Sequence, residues 1–205
     1  MKKKINILKE YFKVNKKMFL FFEILLLIGV LSGSIFSLTL NETDAVLVSE
    51  YLNNFIESIS NNSYKDALLN AVLSNSLILT IIFLLGFSVI GIPFVILIFF
   101  YKAFIIGFSF ASIILNFKSK GILLSFFYIF PHHALNLLVL MVLIIYSGLI
   151  SLNLIRAIIS KTNINTNNIK YFKLYLLSMA ISFFSSLYES ILMPKIIYFI
   201  FCFLK

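Results

Sequence analysis

The sequence is dominated by apolar stretches that are about as long as a lipid bilayer is thick. A membrane-crossing helix needs about 20 consecutive apolar residues, and runs of that length occupy 18–40, 71–92, 93–115 and 174–204. With 61% hydrophobic and 12% charged residues, a soluble domain of this size could not bury its apolar surface. This excludes a soluble enzyme and a disordered chain. It predicts an all-α, polytopic membrane bundle.

Charged segments predict the orientation of these spans. The basic arm 1–17 carries seven lysines and one glutamate, and the loop 156–173 carries four basic residues and no acidic residue. Such segments remain in the cytoplasm. Residues 41–70 carry five acidic residues and one lysine, so we expect this segment to be extracytoplasmic. The predicted N-terminus is cytoplasmic and the predicted C-terminus is extracytoplasmic.

The long apolar run at 121–157 is too long for one straight helix and too short for two. Pro131 lies within it, and a proline inside a helix removes a backbone donor and clashes with the preceding turn. We therefore expect a re-entrant or half-length helix at 121–130, followed by a full span at 131–155. The predicted fold is a single membrane domain with five full transmembrane helices.

The acidic segment also has a helical pattern. Apolar residues between Val46 and Ile59 recur at i, i+3 and i+4 spacing, which predicts an amphipathic helix. Two readings remain open: the helix rests on the outer membrane interface, or its apolar stripe binds a protein partner. For the second reading, Tyr51 and Phe55 are the candidate contacts, because aromatic side chains often dominate binding energy at interfaces.

Small residues recur every fourth position on two predicted spans. Such spacing lets helix backbones approach closely in lipid. The pattern predicts either packing within the chain or the seam of a homo-oligomer. The residues are Gly29, Gly33 and Ser37 on the first span, and Ala103, Gly107 and Ala111 on the third.

Several polar residues lie inside the predicted spans. Lys102 is near the middle of the third span, where a buried ammonium needs a partner or a wet cavity; Glu23, Asn75, Asn136 and Glu189 are the candidates. Pro131 and His132 mark the predicted helix break, and broken helices can form ion sites at membrane depth. The group therefore indicates an ion or proton path, a structural polar pair, or a helix broken near Lys102 whose amine extends to the interface.

Nothing in the sequence predicts an enzyme. It has no zinc-protease, serine-hydrolase or phosphate-loop motif. The single cysteine, Cys202, excludes an internal disulfide and a cysteine-based metal site, and adjacent histidines point to different faces of a helix. We expect no cofactor, no metal and no nucleic-acid partner; membrane lipids are the expected surroundings.

Four blocks of residues carry a resemblance to a known family. They read GFSVIGIP at 86–93, YKAFIIGF at 101–108, KGILLS at 120–125 and FPH at 130–132. In order, spacing and chain length, this pattern resembles the stage II sporulation protein M family of endospore-forming bacteria. A broader set of membrane proteins shares the Pro-His element with a glutamate four residues after the histidine, where this chain has Asn136.

The resemblance implies a function that the composition does not. Its members are polytopic scaffolds of the mother-cell membrane, and they hold two peptidoglycan-cutting partners, the stage II sporulation proteins D and P, during forespore engulfment. On this basis the chain is expected to be a non-enzymatic scaffold. The alternative is a small ion- or proton-linked transporter or channel centred on Lys102 and His132.

Overall fold

The computed structural model describes residues 16–61, 64–160 and 168–197, without the side chains of 55–61, 64–67, 128–129 and 168. All regular elements within these ranges are helical. They are α1 (Lys16–Leu38), α2 (Glu42–Asn61), α3 (Tyr64–Leu85), α4 (Gly91–Leu124), α5 (Phe130–Ser160) and α6 (Asn168–Leu187), with π-helical turns at Ser125–Ile129 and Tyr188–Leu192.

Five helical stretches are long and apolar enough to cross a membrane, which confirms the all-α polytopic fold. They are Lys16–Leu38, Leu68–Leu85, Gly91–Phe127, Phe130–Ser160 and Ile169–Ile197. Most of the basic arm 1–17, the centre of the loop 156–173 and the end of the last span, 174–204, lie outside the described residues.

The second span is displaced towards the N-terminus from its predicted range of 71–92. Helix α3 begins at Tyr64 and ends at Leu85, and a turn leads into α4 at Gly91. A β-carbon on Gly91 would collide with the Leu85 carbonyl, and one on Gly86 would collide with the hydroxyl of Tyr171. Since α3 ends at Leu85 and α4 begins at Gly91, the reversal occupies residues 86–90 and precedes Pro93.

Helix α4 contains a sharp reversal at Lys118. This residue has φ 50° and ψ −123°, a backbone conformation that residues other than glycine rarely adopt. Beyond it, a β-carbon on Gly121 would collide with the Ile113 carbonyl, and the Ser125 hydroxyl donates to the Phe110 carbonyl at 3.5 Å. Residues 119–124 therefore pack antiparallel against the end of the long arm 91–117.

The expected helix break at Pro131 requires correction. The backbone stays helical from the π-turn Ser125–Ile129 into α5, so the helix that contains residues 121–130 continues through the proline instead of ending there. Pro131 has no N–H and would crowd the carbonyl four residues earlier, that of Phe127. The π-turn widens the backbone here, and that carbonyl accepts a hydrogen bond from the Tyr188 hydroxyl at 3.3 Å.

The bundle core lies between α1, α3, α4, α5 and the start of α6. Its fully buried side chains include Ile82, Phe99, Leu143 and Tyr171. Backbone carbonyls freed at the α3–α4 turn are satisfied by side chains: Ser151 donates to the Ser88 carbonyl at 2.6 Å. Such internal donors are needed because lipid offers no hydrogen bonds.

Candidate functional site

A polar cluster lies inside the membrane-spanning part of the bundle. Four helical segments contribute to it: α3, α4, α5 and the last span with its π-turn. We define the polar cluster as Asn75, Lys102, His132, His133, Asn136, Ser182 and Glu189. These residues are far apart in the sequence, and only the packing of the helices brings them together.

The two histidines anchor one side of the polar cluster. The Nε2 atom of His132 lies 3.9 Å from Oε2 of Glu189, and the two imidazole rings have centroids 3.9 Å apart. The His132 side chain is 4% exposed and that of Glu189 is 30% exposed. The Ser185 hydroxyl donates to the His132 carbonyl at 3.2 Å, which fixes the last span against α5.

A small cavity of about 30 Å³ lies on the other side of the polar cluster. Its polar walls are formed by Asn75, Lys102, His133, Asn136 and Ser182. This volume admits a water molecule and not an organic solute. The buried Oδ1 atom of Asn136 has no hydrogen-bond partner within the described protein, so the cavity has an acceptor as well as the ammonium group of Lys102.

Lys102 lies on the wall of this cavity. The candidate partners of Lys102 that the sequence predicts are Glu23, Asn75, Asn136 and Glu189. The structure puts Asn75 and Asn136 around the same cavity, whereas Glu23 is exposed on α1. Lys102 thus faces several polar groups within its membrane-spanning segment, as the cost of an isolated charge in lipid requires.

The two π-turns meet beside the polar cluster. Each begins six residues before a proline, with Ser125 preceding Pro131 and Tyr188 preceding Pro194. The Tyr188 hydroxyl joins them through its bond to the Phe127 carbonyl. π-turns occur often at functional sites. The sequence predicts a break at Pro131 but not the second π-turn, although Pro194 also lies six residues after the start of that turn.

The two stripes of small residues face each other along parallel helices α1 and α4. A β-carbon on Gly29 would lie 2.6 Å from the Ala103 β-carbon, and one on Gly33 would collide with the Phe104 backbone. Further along, Ser37 and Ser112 share a hydrogen bond of 2.8 Å. Gly107 packs directly on the Val30 carbonyl, and Ala111 is half-buried beyond it. The stripes are therefore occupied by packing within the chain.

Helix α2 lies against the bundle along one side only. Leu52 packs near Ile113, and the Ser49 hydroxyl donates to Oδ1 of Asn116 at 2.9 Å. Leu47 and Tyr51, one turn apart, are 62% and 70% exposed. Phe55 follows one turn later in α2, and its side chain lies outside the described part of the chain.

The residues that the structure describes contain no group of three metal-binding side chains arranged to hold an ion.

The family model of stage II sporulation protein M matches residues 18–192. The chain belongs to this family. A search of the curated proteins and a search of the solved structures found no match. The family match includes both small-residue stripes and the whole polar cluster, from Asn75 to Glu189.

Proposed function

We propose that this member of the stage II sporulation protein M family is a non-enzymatic scaffold of the mother-cell membrane. Its task is to hold peptidoglycan hydrolases at the membrane that engulfs the forespore, and the expected partners are the stage II sporulation proteins D and P. Family membership supports a role in sporulation. The observation that supports the scaffold function is the exposed apolar stripe on α2, formed by Leu47 and Tyr51.

This stripe suits a protein partner better than it suits the bundle. Leu47 and Tyr51 lie on the side of α2 that faces away from α4, because Ser49 and Leu52 take the inner side. The first turn of α2 carries Glu42 and Asp44, and acidic side chains are poorly suited to lying on an anionic membrane surface. A groove on the partner could accept anchors at i and i+4.

A pull-down from sporulating cells tests the scaffold. We expect Tyr51→Ser to lower recovery of the hydrolases about tenfold or more, since truncating an interface anchor commonly costs about 2 kcal/mol. Combining it with Phe55→Ser extends the loss if the stripe continues along α2. Membrane levels of each variant are measured in parallel.

Val46→Ser is the matched control for that pull-down. Val46 is apolar and 56% exposed, and successive helix residues point about 100° apart, so it lies beside the Leu47–Tyr51 stripe. It should leave recovery unchanged. Unchanged recovery with Tyr51→Ser as well would refute docking through α2.

The scaffold requires α2 on the extracytoplasmic side, where peptidoglycan is cut. We infer a cytoplasmic N-terminus and an extracytoplasmic C-terminus from the charge pattern. In a Cys202→Ser background, Glu50→Cys on α2 should react with a membrane-impermeant maleimide in intact cells, and Asn165→Cys should react only after lysis. The reverse labelling pattern would invert the topology.

The polar cluster supports a second candidate function, an ion- or proton-linked transporter or channel. Lys102, His132 and Glu189 are the ionisable groups that such a path would use. Lys102→Met and His132→Leu separate the two functions: a transporter loses activity while hydrolase recovery is retained. If the protein is a scaffold, cells that carry either variant should still engulf the forespore, provided that the variant remains folded.

A further inference from the structure

The small cavity of the polar cluster is lined by two groups with opposite hydrogen-bonding needs. Lys102 on α4 brings an ammonium group, which can only donate hydrogen bonds. Asn136 on α5 lines the same cavity, and its buried Oδ1 atom is an acceptor without a hydrogen-bond partner within the described protein. The ammonium group therefore does not bond this oxygen directly, although one cavity of about 30 Å³ separates the two side chains.

We propose that this cavity binds water that bridges Lys102 and Asn136. A water molecule accepts a hydrogen bond from the ammonium group and donates one to the amide oxygen, so it satisfies both groups at once. A buried water needs about 10–15 Å³ of space and about two to four polar partners. The cavity meets both requirements, because Ser182 and His133 also lie on its wall.

Small ions would suit only one of the two groups. Chloride is attracted by the ammonium group of Lys102 and repelled by the amide oxygen of Asn136, whereas sodium or potassium is repelled by the ammonium group. Water both donates and accepts. It would also suit the Asn136 amide after a flip of its two ends, because it can accept from the amide nitrogen.

Hydrogen bonds to the last span fix the helices around the cavity. The Nδ2 atom of Asn75 on α3 donates to the Ser186 hydroxyl at 3.3 Å, and the Ser185 hydroxyl donates to the carbonyl of His132 on α5 at 3.2 Å. The bridging water would add a link between α4 and α5 and would hydrate Lys102 inside the bundle. This inference rests on the cavity alone and is independent of the scaffold and transporter functions.

Hydroxyl-radical footprinting of the full chain in phospholipid nanodiscs tests the site. Radicals formed from bound water oxidise the side chains that they contact, and mass spectrometry measures the rate at each residue. His133 lines the cavity and should be oxidised, although it lies in a membrane-spanning helix. Leu143, which is fully buried in the core, should not be oxidised. Tyr51, exposed on α2, gives the rate for free solvent.

Variants on two helices should displace the water. Asn136→Leu removes the acceptor and places an apolar side chain in the cavity; losing one hydrogen bond lowers the occupancy of the water about fivefold, so the oxidation rate of His133 should fall by at least this factor. Ser182→Val narrows the cavity from α6 and should also lower the rate. Asn136→Ser keeps an acceptor and should retain labelling. Asn153→Leu, at an exposed position of α5, is the matched control and should leave the rate unchanged.

His133 also borders an apolar groove of about 420 Å³ between α1, α4 and α5, so these variants must separate two sources of water. Circular dichroism verifies that each variant is folded. Unchanged His133 oxidation in folded Asn136→Leu or Ser182→Val would place the water in the groove and overturn the proposal. Absence of His133 oxidation in the unmodified chain would show that the cavity is dry. A rate that falls when gluconate in the buffer is replaced by chloride would assign the cavity to an anion.

Discussion

Replacing Gly107 by alanine is expected to force α1 away from α4. A β-carbon at this position would collide with the carbonyl, carbonyl carbon and Cα of Val30. These are backbone atoms, so no side-chain rotation relieves the clash. The helices must separate, which weakens the hydrogen bond from the Ser34 hydroxyl to the Gly107 carbonyl, 3.1 Å, and the bond of 2.8 Å between Ser37 and Ser112.

The expected loss of stability can be worked out from these contacts. Overpacking costs about 1–3 kcal/mol, and each interhelical hydrogen bond in a membrane protein contributes about 0.6 kcal/mol. Alanine regains about 1 kcal/mol through its higher helix propensity. The net free energy of unfolding should therefore fall by about 1–3 kcal/mol for Gly107→Ala.

Gly148→Ala is the matched control, because it makes the same chemical change in another helix. Its β-carbon would meet only the Cε atom of Met18, at 3.3 Å, and this flexible side-chain end can move. The variant should keep the propensity gain of about 1 kcal/mol, so the two variants should differ by about 2–4 kcal/mol. Unfolding in sodium dodecyl sulphate followed by circular dichroism measures both. Equal stability would refute the close packing of α1 on α4.

Two tyrosine hydroxyls give further predictions. Tyr171→Phe removes a donor to the Phe83 carbonyl, at 3.0 Å, and one of three donors to the Ile82 carbonyl, at 3.2 Å, and should lower the free energy of unfolding by about 1 kcal/mol. Tyr175→Phe should cost less, since the Thr80 hydroxyl that it contacts also donates to a carbonyl of its own helix. Tyr188→Phe should cost about 1 kcal/mol, and less in a Pro131→Ala background, where alanine supplies an N–H for the carbonyl of Phe127; an additive double-mutant cycle would contradict this account.

The small-residue stripes show how far spacing alone can predict contacts. Residues at i and i+4 share one helix face whatever surrounds them, so Gly29, Gly33 and Ser37 had to form a narrow ridge. The sequence left open whether this ridge meets another helix of the chain or a second copy. The structure answers this through the contacts of Gly33 with Phe104.

The reversal falls in the polar stretch 116–120 between two apolar runs, where the sequence predicts a turn. The positive φ of Lys118 and the continuous helix through Pro131 could not be predicted from local sequence, because positive φ usually falls on glycine. Pro131 is a strong helix-breaking signal. It is tolerated because Tyr188, 57 positions later in the chain, supplies the missing hydrogen bond.

The sequence by itself determined that this chain is a membrane protein, how many times its helices can cross, and which segments carry positive charge. These properties follow from composition summed over stretches of about 20 residues, and lipid acts on each stretch separately. Only the tertiary structure decided that His132 lies beside Glu189, that Lys102 faces a water-sized cavity, and that an apolar groove opens between α1, α4 and α5. Those features depend on which helices are neighbours and on their relative heights, and both are set by close packing between side chains that are distant in the sequence.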